Sequence, residues 1–139
     1  MFAFAVQILA DFSAYTNIAR GSAQLLGFDL VENFRHPYIA VSPADFWRRW
    51  HISLSTWMRD YVYISLGGNR GGTGKAMRNV LLTFLISGAW HGASWNYSLW
   101  GLYWGVLVAA DNLWGQRPRP PAWLAMPLMF AVTCVGWLM

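Results

Sequence analysis

The chain has 139 residues, of which 56% are apolar or aromatic and only 12% are charged. A soluble domain carries about twice that share of charge, and it would struggle to bury ten tryptophans, a residue suited to the membrane–water interface. The single cysteine, Cys134, excludes a disulfide framework and argues against a cysteine-based metal site.

The net charge of +4 lies wholly between Val31 and Arg78, where seven bases accompany three acids. That block is flanked by membrane-grade apolar runs, which argues against nucleic acid and for anionic lipid heads or an anionic substrate. The expected fold is an all-α integral membrane protein, a multi-span helical bundle. The chain starts inside one apolar run and stops inside another. Residues 1–139 therefore read as one fragment of a larger domain, with N-terminal helices missing and the last span cut short.

Met1–Ala10 is uncharged and reads as the end of a spanning helix. Asp11–Asp29 mixes small, polar and apolar residues, a pattern for a helix facing the protein interior or a polar cavity; Gly27 suits its stop. His36-Pro37 reads as an extended connector, because the residue before proline avoids the right-handed helical region.

Ser42-Pro43-Ala44-Asp45 has the form of a helix start: a capping serine, proline in the first turn and an acid three residues after the cap. Continued to Tyr61 at helical period, Phe46, Trp47, Trp50, Leu54, Trp57, Met58 and Tyr61 fill one arc of about 120°. Arg48, Arg49, Arg59 and Asp60 lie opposite, with His51 on the seam. The pattern predicts one amphipathic helix over Ser42–Tyr61, flat in the interface plane; a surface helix packed on other protein gives the same pattern.

Gly67-Gly68-Asn69-Arg70-Gly71-Gly72-Thr73-Gly74-Lys75 lacks the spacing of a phosphate-binding loop and has Ala76 where Ser or Thr is required. It reads as a flexible basic surface loop. Asn79–Ala110 then runs for 32 residues without a charge, about 48 Å of helix against a hydrocarbon core of ~30 Å. Basic residues flank both ends, and Gly88-Ala89-Trp90-His91-Gly92 interrupts the middle. Two short helices meeting at a glycine-flanked turn around a buried His91 satisfy these features. Two minimal spans with His91 near the far surface are the alternative. Gln116–Pro121 reads as a proline-rich linker and Ala122–Met139 as the start of another span.

An ionisable side chain inside an uncharged run is by default a candidate for function, which singles out His91. Gly88 and Gly92 allow close backbone approach. Trp90, Trp95 and Trp100 can wall off a pocket, and Ser87, Ser94 and Asn96 can fix a tautomer. The same placement suits a structural histidine bonded to a carbonyl between helices. His51 is an interfacial or accessory candidate, and His36 a loop residue. The sequence has no Gly-x-Ser-x-Gly elbow and no His-Glu-x-x-His zinc motif, and no metal or bound cofactor is expected.

Phe46-Trp47-Arg48-Arg49-Trp50-His51-Ile52-Ser53-Leu54-Ser55, Arg59-Asp60-Tyr61, Leu66-Gly67-Gly68-Asn69-Arg70-Gly71-Gly72 and Trp90-His91-Gly92-Ala93-Ser94-Trp95 together resemble the signature blocks of the membrane-bound O-acyltransferases. The bacterial alginate O-acetyltransferase branch is the most similar. Asp11-Phe12-Ser13-Ala14-Tyr15-Thr16 and Leu25-Leu26-Gly27-Phe28 match it as well. The resemblance implies a multi-pass protein of the bacterial cytoplasmic membrane, with helices around a tunnel. It implies an acyl donor such as acetyl-CoA as substrate, and a polysaccharide acceptor or an acyl-relay partner protein on the other side. The family's catalytic histidine maps onto His91 and its second histidine onto His51. In that scheme Arg48, Arg49 and Arg59 guide a phosphorylated donor or anchor lipid heads, and Trp90, Trp95 and Asn96 border the substrate. D-alanyl transfer to teichoic-acid-type polymers fits the same family, and a transporter or scaffold without chemistry is the rival reading. One departure stands out: where many relatives have Gly-x-x-His-Gly, this chain has Gly101-Leu102-Tyr103-Trp104-Gly105.

Overall fold

The computed structural model describes residues 2–115 and 117–139; Met1 and Gln116, each the first residue of a predicted segment, lie outside the described residues. Helix α1, Phe2–Leu25, runs unbroken through Asp11, so the two segments expected there form one element of 24 residues. It ends as the glycine predicts. Gly27 takes a φ of 84°, its N–H donates to the Gln24 carbonyl, and the Phe28 N–H donates to the Ala23 carbonyl, closing a left-handed cap that satisfies the last carbonyls.

His36 is left-handed, with φ 48° and ψ 59°, and Pro37–Ile39 form a 3-10 turn. The proline does bar the right-handed region, but the chain turns there instead of extending. Tyr38 then donates its hydroxyl to the Ala5 carbonyl of α1.

The single helix expected over Ser42–Tyr61 is not formed. Its start is as predicted: helix α2, Pro43–Trp47, is capped by Ser42, whose hydroxyl accepts the Asp45 N–H at 3.2 Å. The helix then stops, and α3, Ile52–Trp57, begins after a left-handed His51 and continues into a π-helical turn at Met58–Tyr63. The cause is tertiary. Backbone of residues 33–35 pairs alongside residues 49–53, with the Arg35 N–H donating to the Arg49 carbonyl at 2.9 Å and the Ile52 N–H to the Asn33 carbonyl at 3.1 Å. The break also divides the aromatic arc. Phe46 and Trp50 are buried, while Trp57 and Tyr61 pair with each other on the surface.

Helices α4, Thr73–His91, and α5, Trp95–Trp114, form the main hairpin. At 1.5 Å per residue each is about 30 Å long, so the short-helix pair gives way to two longer helices that extend past the uncharged run at both ends. Gly88 and Gly101 meet across the hairpin. A methyl group on Gly88 would run into the Tyr97 carbonyl, and one on Gly101 into the Phe84 carbonyl, the close approach that small residues give helix pairs in membranes. Helix α6, Ala122–Gly136, packs on the 3-10 turn through Tyr38 and Phe130 and accepts the Tyr103 hydroxyl at the Val132 carbonyl, 2.7 Å away.

Phe46, Trp50, Trp100, Trp104 and Met129 make the central core. Asp111 of α5 locks α2 to it, accepting the Ala44 N–H at 3.0 Å and the Arg119 guanidinium at 2.8 Å. The loop before α4 is held more firmly than expected: buried Asn79 donates its amide to the Leu66 and Gly68 carbonyls at 3.1 and 3.0 Å. No helix among the described residues is long and apolar enough to cross a membrane. The long helices carry Asp11 and Arg20, Lys75 and Arg78, or Asp111, and interleave their apolar residues with Gly, Ser, Thr, Asn, Tyr and Trp.

Candidate active site

His51 occupies the break between α2 and α3, half-buried, with φ 44° and ψ 55°. Left-handed backbone at a non-glycine residue costs about 1–3 kcal/mol and persists only where its surroundings enforce it. Its ring stands edge-on to Phe12 of α1 at 4.8 Å. Burial, with a smaller push from the like charge of nearby His91, lowers its pKa to about 4, so the imidazole is neutral at physiological pH.

His91 is the last residue of α4. It is exposed here, which corrects the expectation of a buried histidine at a mid-membrane turn: α4 runs its full length before the chain turns at Gly92–Ser94, so the ring sits at the helix end. Trp90 and Trp100 flank it edge-on, each at 5.0 Å. Trp100 continues through Trp47 at 5.7 Å into the Phe46–Trp50 stack. One aromatic wall therefore runs from His91 to the residue before His51. Among the described residues neither imidazole makes a hydrogen bond.

A cavity of about 1060 Å³ lies between the α2–α3 region and the α4–α5 hairpin. Its lining includes Ile52, next to His51, and Ser87, one turn before His91. Arg35, Arg48 and Arg59 line it too, so the cavity, open on one side, combines positive charge with apolar residues such as Val80, Phe84 and Val108.

The other predicted residues fall in different places. Arg49 is not on the cavity: its Nε donates to Asp45 Oδ1 at 3.1 Å and its Nη1 to the Arg35 carbonyl at 3.4 Å. Trp95 and Asn96 sit at the exposed start of α5, with Trp95 83% exposed and the Asn96 N–H on the Ser94 hydroxyl at 3.3 Å. Trp90 is 61% exposed beside His91. Two residues went unnoticed in sequence. Arg35 lies in what reads as connector, and only its membership of the basic block marked it. Asn33 carries no sequence signal. Trp104, where the resemblance leads one to expect a further histidine, is fully buried in the core.

A family model described as MBOAT, membrane-bound O-acyltransferase family, matches residues 1–138. Over 138 residues the chain is 46% identical to the Probable alginate O-acetylase AlgI of Pseudomonas aeruginosa, a match covering 98% of this chain and 26% of that protein. It is 38% identical to the Peptidoglycan O-acetyltransferase of Helicobacter pylori, with 97% and 27% covered. It is 32% identical to the Teichoic acid D-alanyltransferase of Bacillus subtilis, with 99% and 39% covered. The chain thus spans about a quarter to two fifths of the length of these relatives.

Proposed function

The chain belongs to the membrane-bound O-acyltransferase family, and from that premise we propose that it carries the catalytic histidines of an enzyme moving an acyl group, acetyl above all, from a cytoplasmic donor to hydroxyls of an extracytoplasmic polysaccharide such as alginate. The greater identity to the alginate protein than to the peptidoglycan and teichoic acid proteins supports that acceptor class. We place it as a multi-pass protein in a bacterial cytoplasmic membrane, with lipids around it and an acyl-relay protein as a further partner. The polar residues that interrupt the long helices fit helices facing a water-filled path.

The observation that supports this reading is one run of aromatic contacts that leads from His91 through Trp100 and Trp47 to the Phe46–Trp50 stack just before His51, beside an arginine-bordered cavity that Ile52 and Ser87 line and the two imidazoles do not. His91 acts as general base. It takes the acceptor's hydroxyl proton as the oxygen attacks the acyl carbonyl and a C–O bond forms. The tetrahedral adduct collapses with loss of the donor's leaving group. For a thioester such as acetyl-CoA the C–S bond breaks, and the proton passes from His91 to the departing sulfur. Positioned proton transfer of this kind contributes about 10²–10⁴-fold. His51, neutral, orients or polarises a reactant, while Arg35, Arg48 and Arg59 hold donor phosphates. Trp90, Trp95 and Asn96 border the acceptor side.

The test is His91→Gln in the full-length protein, read as acceptor acetylation per mole of protein in the membrane. Glutamine keeps a hydrogen bond and cannot take a proton at neutral pH. A loss on the order of 10²-fold or more at normal abundance supports the base. A near-normal rate overturns it, and a loss only in step with lost protein returns the transporter or scaffold reading.

A further inference from the structure

A helix start has backbone N–H groups to satisfy, and the residue at the cap ordinarily supplies an acceptor from its own side chain. His51 caps α3 and supplies none. The work is done from twenty residues upstream. The Asn33 carbonyl accepts the Ile52 N–H at 3.1 Å. Asn33 Oδ1 accepts the Ser53 N–H at 3.0 Å and the Ser53 hydroxyl at 2.7 Å. One residue thus satisfies the first two donors of α3 and ties down the side chain beside them.

The consequence falls on His51. A cap residue normally has extended backbone and turns its side chain onto its own helix. Here the cap is provided externally, so His51 is free to adopt the left-handed conformation and to send its ring away, against Phe12. The Arg35–Arg49 backbone bond holds the other side of the break. Histidine enters the left-handed region more readily than most residues, and the pairing with residues 33–35 brackets His51 on both sides while it is there.

We propose that Asn33 is a positioning residue for the acyl transfer: it holds the backbone of His51 in the conformation that presents the imidazole, and it acts on the rate only through that ring. This rests on the accessory role assigned to His51 above. The bonds it makes are to Ile52 and Ser53 at the start of α3, and none is to either imidazole.

The experiment is a cycle in the full-length protein, with acceptor acetylation from acetyl-CoA measured per mole of membrane-inserted protein and kcat separated from KM. Asn33→Ala is expected to lower kcat on the order of tenfold, as misplacing a reacting group by a fraction of an ångström does, with KM little changed. Asn33→Asp keeps an acceptor for both Ser53 donors and should restore most of the rate. In a His51→Ala background, Asn33→Ala should change kcat by less than about twofold, because coupled residues do not add. Ser53→Ala, a milder change, should follow the same non-additivity and serves if Asn33→Ala fails to accumulate. An equal loss in both backgrounds, or a normal kcat for Asn33→Ala, overturns the positioning role while leaving His51 functional. A normal kcat for His51→Ala overturns the parent assignment and the positioning role with it.

Discussion

The indole of Trp104 lies flat on the ring of Phe46, 4.9 Å between centroids and 5° between planes. Trp104 is therefore a core residue, enclosed by Phe46, Trp47, Tyr103 and Gly136. Its indole N–H is buried and has no partner among the described residues, so the ring matters as volume. Trp104→Phe should keep activity per folded protein and cost less stability than the alanine variant, because most of the ring volume is kept. Trp104→Ala should cost about 3–5 kcal/mol, read as a lower midpoint in thermal unfolding of the purified full-length protein. If Trp104→Phe abolished acetylation at normal abundance, the indole N–H would have a role that packing does not account for.

The glycine seam between α4 and α5 gives a second expectation. At Gly88 and Gly101 an added methyl meets backbone carbonyls, which cannot move aside as a side chain can. Gly88→Ala and Gly101→Ala should each cost about 1–3 kcal/mol or more through forced separation of the helices. At Gly21 in α1 an added methyl meets nothing within 4 Å, so Gly21→Ala should leave the protein as stable or make it slightly more so. Equal thermal midpoints for all three would mean that α4 and α5 do not meet closely at Gly88 and Gly101.

What could be read from sequence was local. The Ser42–Pro43–Asp45 start, the Gly27 stop and a turn near Gly92 depend on neighbours within a few residues, and each appears where expected. The break at His51 is bracketed by contacts from Asn33, whose partner Ser53 is twenty residues away, and no periodicity within Ser42–Tyr61 could signal it. The same contact decides which aromatics are buried, so the arc read as one lipid-facing stripe splits into core and surface. The histidines were legible as rare ionisable groups among apolar residues. Their arrangement along one aromatic wall was not, because it requires the α4–α5 hairpin to return Trp100 beside His91 and Trp47.

The lowered pKa of His51 makes a stability prediction with a definite sign. Its value in the folded chain, about 4, lies below the ordinary 6.5. Between those values the unfolded chain binds a proton that the folded chain refuses, so stability falls as pH falls through that window. The replacement His51→Gln has no such proton. The thermal midpoint of the wild type should therefore drop relative to His51→Gln between about pH 6.5 and pH 4, and the gap should be constant above pH 7. Groups other than His91, whose charge acts on His51, contribute equally to both proteins and cancel in the difference. Parallel curves across the whole range would show that burial does not disfavour the charged ring.

Four arginines sit close together in the basic block, yet their contacts divide them. Arg49 serves the fold: it donates to Asp45 at 3.1 Å, where the carboxylate is only 13% exposed, and to the Arg35 carbonyl. Removing it leaves a nearly buried acceptor short of its closest charged partner, a loss of about 1–3 kcal/mol. Arg49→Ala should accordingly reduce membrane abundance and thermal midpoint, while the protein that remains keeps its donor KM. Arg48 and Arg59 line the cavity with exposed side chains, and their own pairings, to Asp45 at 3.5 Å and to Asp60 at 2.7 Å, are surface contacts that contribute little to folding. Their removal should leave stability within about 0.5 kcal/mol. If they hold donor phosphates, Arg48→Ala and Arg59→Ala should each raise KM for acetyl-CoA by about tenfold with kcat little changed, the signature of lost ground-state binding. Added salt should narrow the difference from wild type, because exposed charges are screened. Lysine at either position should recover part of the affinity as a point charge without the guanidinium fork. A raised KM in Arg49→Ala at normal abundance, or an unchanged KM in both cavity variants, would reverse the division and return these side chains to anchoring lipid heads.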